Sequence, residues 1–440
     1  MPALLTAQAA AGDAAGTTTA SSPDIAPSFD PAVPGSELTV YVMTMGPGEF
    51  VWERFGHNAI WIHDEAQQTD IAYNWGLFSF EQEGFVLRFL RGRMDYWMEG
   101  IDAEQMASFY IQSDRSIWVQ ELNLTPEQRL ELREFVEWNA LPANRFYRYD
   151  YFRDNCSTRV RDALDRVLGG QLRAETEGVL TGTTYRSHSR DAVGGSPLLF
   201  TGIMLGTGHP TDRDLSAWEE MFMPLSMMAR IREVTITTPS GERVPLVRSE
   251  RQIHQSLQLS AEPAEAPSTL GYLAIGLLIA AGIVGSVRAS IRRKTGRAAF
   301  RLLTIAWCTV AGILGTVLVL LWVATDHTAA YANENLFHFN PLVLVLAILL
   351  PMAVTPCSRW RRAAYMLGAA VAGISLLGFL LGLLPGFYQE NARLVALALP
   401  VNLAIGYAVW FLRRGSTEGR AKGALTGGPL NDKNLRPEPA

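Results

Sequence analysis

Cysteine is almost missing from this chain: 440 residues hold three, at positions 156, 308 and 357. So few thiols exclude a disulfide-stapled scaffold. The first half also lacks a stripe of Lys and Arg, and the net charge is a modest -5, so nucleic acid is not an expected partner. No Gly-x-Ser-x-Gly elbow occurs, which removes the usual serine-nucleophile reading. His57 and His63 lie close in sequence, but nothing around them matches a zinc signature and they do not fall one helical turn apart. Neither a metal nor any other cofactor is expected. A basic n-region is lacking too. Met1 to Gly12 offers only a short apolar stretch ending in Ala-Gln-Ala, like the tail of a signal peptide, and the reading expects a true start further upstream.

Long apolar runs are abundant, but only in the second half. A helix needs about 20 apolar residues to cross a bilayer core, and five runs qualify, at 269–287, 302–325, 337–355, 364–385 and 393–412, the third interrupted by Pro341 and Pro351. Arg288, Arg292, Arg293, Lys294, Arg297 and Arg301 follow the first run, Arg359, Arg361 and Arg362 the third, and Arg413 and Arg414 the last. The loops Asp326–Asn340 and Gly386–Ala392 have acids but neither Lys nor Arg. Short basic loops stay cytoplasmic, so the tail is expected inside and everything before the first span outside, in a cytoplasmic (inner) membrane. The expected domains are a flexible lead-in over 1–36, an extracytoplasmic domain over 37–260, a linker over 261–268, transmembrane helices over 269–412 and a cytoplasmic tail over 413–440.

The exported half reads as α+β. Leu38–Met45, Asn58–His63 and Asp70–Trp75 have strand character and suggest a small antiparallel sheet. Ala103–Ser113 and Pro126–Trp138 have helical spacing, the second capped by Thr125 with proline in its first turn. In a third helix Val160, Ala163, Leu164, Val167 and Leu168 share one face, Asn155 caps the start and Gly169-Gly170 ends it. Residues 178–214 read as loop, followed by a short helix around Trp218–Ile231.

Cys308 falls in an expected span and Cys357 in an expected cytoplasmic loop, which leaves Cys156 as the one exported thiol, in the first turn of the third helix. The partial positive charge there and a nearby histidine would lower its pKa, and the free amides of the turn would suit an oxyanion. Free cysteines are also among the most buried residue types, so position alone leaves packing and catalysis both open. The base candidate is His57, opened by Gly56 at the start of a strand, with Asn74 the first choice to orient its ring and His63 the second.

Phe55-Gly56-His57, Tyr73-Asn74-Trp75-Gly76, Tyr147-Arg148-Tyr149-Asp150, Asp154-Asn155-Cys156-Ser157-Thr158 and Thr184-Tyr185-Arg186 together resemble successive signatures of the Lnb N-terminal periplasmic domain family, across about 45–230. Asp326-His327, Asn333-Glu334-Asn335-Leu336 and Asn340-Pro341 resemble that family's extracytoplasmic loop between spans. The resemblance implies an acyltransferase that moves an ester-linked acyl chain of a bacterial lipoprotein onto its free α-amine. It maps the family's His and Cys onto His57 and Cys156, with Asn155 just before the nucleophile. The order His, then Asn-Cys at a helix start, is similar to permuted papain-like folds. Implied partners are a lipid-linked substrate, foremost a lipoprotein, and membrane phospholipid. Arg148, Tyr149 and Arg186 are the substrate-binding candidates on the domain, although surface ion pairs are the commoner fate of arginine. The loop 326–340 either docks on the domain and lines a lipid entry, with His327, Asn333 and Asn335 as its polar contacts, or is a solvated turn. Two rivals remain: a papain-like amidase acting on peptide or peptidoglycan, and a non-catalytic binding domain on a membrane anchor.

Overall fold

The computed structural model describes residues 29–258, 265–355 and 358–425. Most of the lead-in, half of the linker, Cys357 and the end of the tail lie outside the described residues. The soluble half begins with β1 (Leu38–Met45), β2 (His57–Asp64) and β3 (Thr69–Leu77), followed by α1 (Phe85–Arg91), β4 (Asp95–Asp102), α2 (Ala103–Gln112) and β5 (Ile117–Leu122). Then come α3 (Pro126–Ala140), β6 (Phe146–Arg148), α4 (Cys156–Val167), α5 (Gln171–Thr176), β7 (Leu180–Thr184), α6 (Tyr185–Val193) and α7 (Pro197–Gly206). The half closes with β8 (Asp214–Ser216), α8 (Ala217–Glu220), α9 (Pro224–Glu233), β9 (Thr235–Thr237), β10 (Arg243–Pro245) and β11 (Val247–His254).

Seven strands form one antiparallel sheet in the order β11-β5-β1-β2-β3-β4-β6. Both faces of its centre are covered. Leu38, Val40, Val42, Ile60 and Ile62 pack with Val160 and Leu164 of α4 and with Leu132 and Val136 of α3. Met43, Met45, Ala59 and Ala72 pack on the other side with Met106 and Tyr110 of α2. A strand buried on both faces has no need of strict alternation, which is why β1 reads as an almost unbroken apolar run. α4 is held as its sequence suggests: Asn155 accepts from the Thr158 amide at 2.9 Å, and Gly169 and Gly170 take the left-handed conformation past its end.

The register puts one end of the sheet to special use. Met45 lies opposite both His57 and Ile117, and Ile117 lies opposite His254, the last residue of β11 before the chain runs toward the membrane. The edge from which α1 departs, after Leu77, is at this same end. The end of the sheet that carries His57 is therefore the one turned to the bundle.

Segment 178–214 departs from the loop expectation, because it holds β7, α6 and α7. α7 is short and apolar without a polar face, so periodicity could not signal it. Its Phe200, Met204 and Leu205 join the core of the membrane half. The helix expected around Trp218–Ile231 is broken at Met221–Met223 into α8 and α9.

Among the described residues, five helices are long and apolar enough to cross a membrane: α10 (Thr269–Ala289), α11 (Lys294–Ala324), a segment Glu334–Ala353 containing α12 (Pro341–Ala353), α13 (Arg361–Leu381) and α14 (Ala392–Leu425). Pro341 does not interrupt α12 but starts it, where a missing N–H costs nothing. The connections α11–α12 and α13–α14 both lie against the soluble domain: the Gly208 amide donates to Ala329 O at 2.7 Å and the Glu390 amide to Asp212 Oδ1 at 2.9 Å.

Candidate active site

The site forms where two neighbouring strands part. β2 pairs with β1 along its whole length, from Asp64 to His57, but with β3 only as far as Ile60 opposite Tyr73. Residues 57–59 of β2 and 74–76 of β3 therefore diverge, and the start of α4 faces the gap. Gly76 makes this approach possible. Its φ of +95° suits glycine, and a Cβ there would stand 3.4 Å from Cys156 Cβ, 3.6 Å from His57 Cε1 and 4.0 Å from the Tyr147 hydroxyl. Gly56 serves the other flank: with φ of +81° it brings the chain so close to β1 that a Cβ would lie 2.8 Å from Met45 O.

His57 Nε2 bonds to Asn74 Oδ1. An amide oxygen only accepts, so Nε2 carries the hydrogen and Nδ1 keeps its lone pair free to take a proton. The ring stacks on Tyr110 at 6.2 Å between centroids, and the Arg115 guanidinium lies over the Tyr110 ring at 4.6 Å. Burial lowers the His57 pKa to about 4; the Asn74 bond opposes this and Arg115 adds to it.

Cys156 is 8% exposed. Burial pushes its thiol up to about 11, against the backbone amides of Asn58, Ser157 and Cys156 itself, which point at the sulfur and favour the thiolate. The expectation of a lowered thiol pKa is thus corrected: removal from water outweighs the helix terminus and the amides. At neutral pH the resting pair is a thiol beside a neutral imidazole. The Asn58 amide had no signal in sequence, since it belongs to a strand a hundred residues from the nucleophile and is freed by the parting of the ladder.

The remaining candidates separate clearly. Asn155 has its side chain engaged in capping, accepting from Thr158 and donating to Tyr151 O at 2.9 Å and Phe222 O at 3.0 Å, so it anchors the α4 start and has no donor left for substrate. His63 lies six residues along β2 from His57, roughly 20 Å away at strand rise, where it bonds Asp70 at 3.0 Å; it does not reach the site. Arg186 is also corrected. It is fully buried, paired with Asp212 at 2.7 and 2.9 Å and bonded to the carbonyls of Met204, Thr207 and Gly208, which leaves no donor facing solvent or substrate. Arg148 pairs with Asp326 at 2.8 Å and donates to Gly92 O, tying the domain to the outer loop. Tyr149 stacks on Tyr96 at 4.1 Å between centroids, in a group of rings beside the nucleophile.

The loop 326–340 docks on the domain, so the solvated-turn alternative falls. Asp326 N–H donates to Arg91 O at 2.8 Å and its carboxylate accepts from Arg93 at 2.6 Å, while His327 bonds Phe89 O at 2.9 Å. Asn333 and Asn335 are buried and donate to carbonyls of α7. These three residues fasten the domain to the bundle rather than line an open site. Among the described residues no group of three or more His, Cys, Asp or Glu is arranged to hold a metal ion.

Sequence reasoning missed Tyr147 and Arg115. The Tyr147 hydroxyl is buried without a hydrogen-bond partner, and the Arg159 guanidinium lies 4.3 Å over its ring. Arg115 donates to Gly46 O at 2.9 Å and leaves one nitrogen without a partner.

Residues 26–190 match the Lnb N-terminal periplasmic domain, and residues 268–414 match the Lnb transmembrane domain. Neither a curated protein nor a solved structure matches the chain. With a family domain in each half, and five helices able to span a bilayer, the chain belongs to the Lnb family as a multi-pass membrane protein with a periplasmic N-terminal domain.

Proposed function

We propose that this protein is a thiol acyltransferase of the cytoplasmic (inner) membrane, with its C-terminus cytoplasmic, that moves an ester-linked acyl chain of a lipid-modified substrate to an amine. The reading rests most on one observation: Cys156 Cβ and His57 Cε1 both lie within 4 Å of the point where Gly76 lacks a side chain, and Asn74 holds the imidazole by its other nitrogen. The substrate class follows from the setting. A domain fastened by its outer loops to a membrane bundle meets lipid-linked substrates in two dimensions, which raises their effective concentration. The family makes a bacterial lipoprotein N-terminus the foremost candidate.

The neutral pair defines the steps. As Cys156 Sγ attacks the ester carbonyl carbon, its proton passes to His57 Nδ1. The oxyanion is met by the backbone amides of Asn58 and Ser157 and by the unpartnered Tyr147 hydroxyl. The C–O bond breaks, the departing alkoxide takes the proton from His57, and an acyl thioester remains on Cys156. An amine then attacks the thioester, the C–S bond breaks, and His57 carries the proton of the amine back to the sulfur. Atoms and charge balance without a cofactor.

Reconstitution of the purified chain with a diacylated lipopeptide in vesicles tests this. The expected product is an N-acylated lyso-lipopeptide, absent with Cys156→Ala. Free fatty acid or a cleaved peptide as the only product would overturn transfer, and undiminished product with Cys156→Ala would overturn the nucleophile.

A further inference from the structure

The helix α1, Phe85-Val86-Leu87-Arg88-Phe89-Leu90-Arg91, has no buried residue. Val86 is 68%, Leu87 53% and Leu90 58% exposed, and Phe50, Trp52 and Phe80 are exposed beside it. Soluble surfaces rarely leave so continuous an apolar patch uncovered. Its height relative to the bundle is fixed by a bond: the last residue of α1, Arg91, accepts at its carbonyl from the amide of Asp326, two residues beyond the end of the membrane helix α11 at Ala324. The last turn of α11 is itself exposed and apolar at Trp322 and Val323. The apolar surface of the span therefore continues directly onto α1. Arg91 has no ion-pair partner among the described residues, in keeping with a side chain that meets lipid phosphate.

We infer that α1 lies in the outer leaflet of the bilayer and forms the doorway through which an acyl chain passes from the membrane to Cys156. A continuous run of rings leads inward from it. Phe85 of α1 stacks on Phe78 at 6.3 Å, Phe78 meets Tyr96 at 5.1 Å and Tyr96 stacks on Tyr149 at 4.1 Å. Tyr149 neighbours Tyr147, whose hydroxyl lies 4.0 Å from where a Gly76 Cβ would stand, the point that Cys156 Cβ approaches to 3.4 Å. Acyl chains are the occupant that this surface fits. It is apolar except for the side that carries Arg88 and Arg91, aromatic at its margin as interfacial segments are, and continuous with a surface already in lipid. The route half of the inference rests on the acyltransferase reading; the placement of α1 does not.

The test uses the full chain in phosphatidylethanolamine/phosphatidylglycerol vesicles. A fluorescent label is attached at Leu87→Cys, or at Ala66→Cys in the β2–β3 turn at the opposite end of the sheet, with Cys156→Ser, Cys308→Ala and Cys357→Ser in the background. The label at position 87 is expected to be quenched by lipids with spin labels on their acyl chains and shielded from aqueous iodide, by roughly fivefold or more relative to position 66. Equal access of iodide to both positions overturns the placement. A second arm uses Val86→Glu in the otherwise native chain. Turnover of a diacylated lipopeptide in vesicles is expected to fall about tenfold, because a charge must then enter the leaflet, while cleavage of water-soluble p-nitrophenyl butyrate is unchanged. Unchanged turnover of the vesicle substrate, or equal loss with both substrates, overturns the doorway. If the native chain acts on neither substrate, the acyltransferase reading fails, and the quenching result still decides where α1 lies.

Discussion

Removing the Asn74 side chain deprives the His57 Nε2–H of its acceptor in a half-buried site, where Asn74 and Cys156 are themselves buried. A buried donor left unpaired costs about 1–3 kcal/mol. The imidazole can escape part of that cost by turning or by moving its hydrogen to Nδ1, but either change takes away the lone pair that receives the Cys156 proton. The reactive arrangement is disfavoured by the same 1–3 kcal/mol or so, and Asn74→Ala is expected to lower kcat roughly 5- to 150-fold. KM should hold, because Asn74 stands behind the imidazole. Asn74→Asp gives a second readout. A carboxylate on Nε2 favours imidazolium, so the acid limb of kcat/KM, which neutral His57 sets near about 4, should move up toward or beyond the ordinary histidine value. The assay is lipopeptide acyl transfer in vesicles across the acid to neutral range, with the rate of Cys156 alkylation by iodoacetamide followed in parallel. Wild-type kcat in Asn74→Ala, together with an unmoved acid limb in Asn74→Asp, would refute the orienting role and the tautomer assignment with it.

Tyr147→Phe removes a buried hydroxyl that has no partner in the resting protein; it should lower kcat tenfold or more, roughly, yet leave thermal stability unchanged or raised, as measured by turnover and unfolding of the same preparation. Arg186→Met should destabilise the protein by about 3–5 kcal/mol, because it strands the Asp212 carboxylate in the interior, and Arg186→Lys should rescue it only in part, since a point charge cannot replace the forked bonds; recovery of folded protein after graded heating reads both. His57 stays neutral in the folded protein down to about 4 but takes up a proton in the unfolded chain below about 6.5. Its contribution to stability is therefore complete above that ordinary value and is lost as pH falls between the two. Denaturant unfolding at stepped pH should show this loss, and His57→Gln should remove it.

The elements legible in the sequence are those governed by local pattern. β1, β2 and β3 announce themselves by apolar residues between turn signals, α3 by Thr125-Pro126, α4 by Asn155 and the paired glycines, and the spans by length alone. α7 was illegible because it is apolar without a period, and because what buries it is a membrane bundle remote in sequence. The residues that meet at the candidate site were visible as types: a lone exported cysteine at a helix start, a histidine after glycine, an asparagine on the next strand. The parting of β2 from β3 was not visible, for ladder length depends on tertiary packing, and with it went the Asn58 amide and the meeting of Tyr147 with Gly76. Arg186 shows the converse error. A charged residue in a family signature reads as a ligand for substrate, while complete burial against Asp212 is a fact of three dimensions. The thiol pKa failed for the same reason, since a helix start is local but desolvation is not.

In the proposed reaction Cys156 carries the acyl chain between donor and acceptor. Intact-protein mass spectrometry of the purified chain, quenched in acid after mixing with a diacylated lipopeptide whose α-amine is blocked, tests it most directly. One added acyl chain is expected, located on the peptide containing Cys156, released by hydroxylamine and absent from Cys156→Ala and His57→Ala. An unmodified Cys156, under conditions where the unblocked lipopeptide is converted to product, would contradict it.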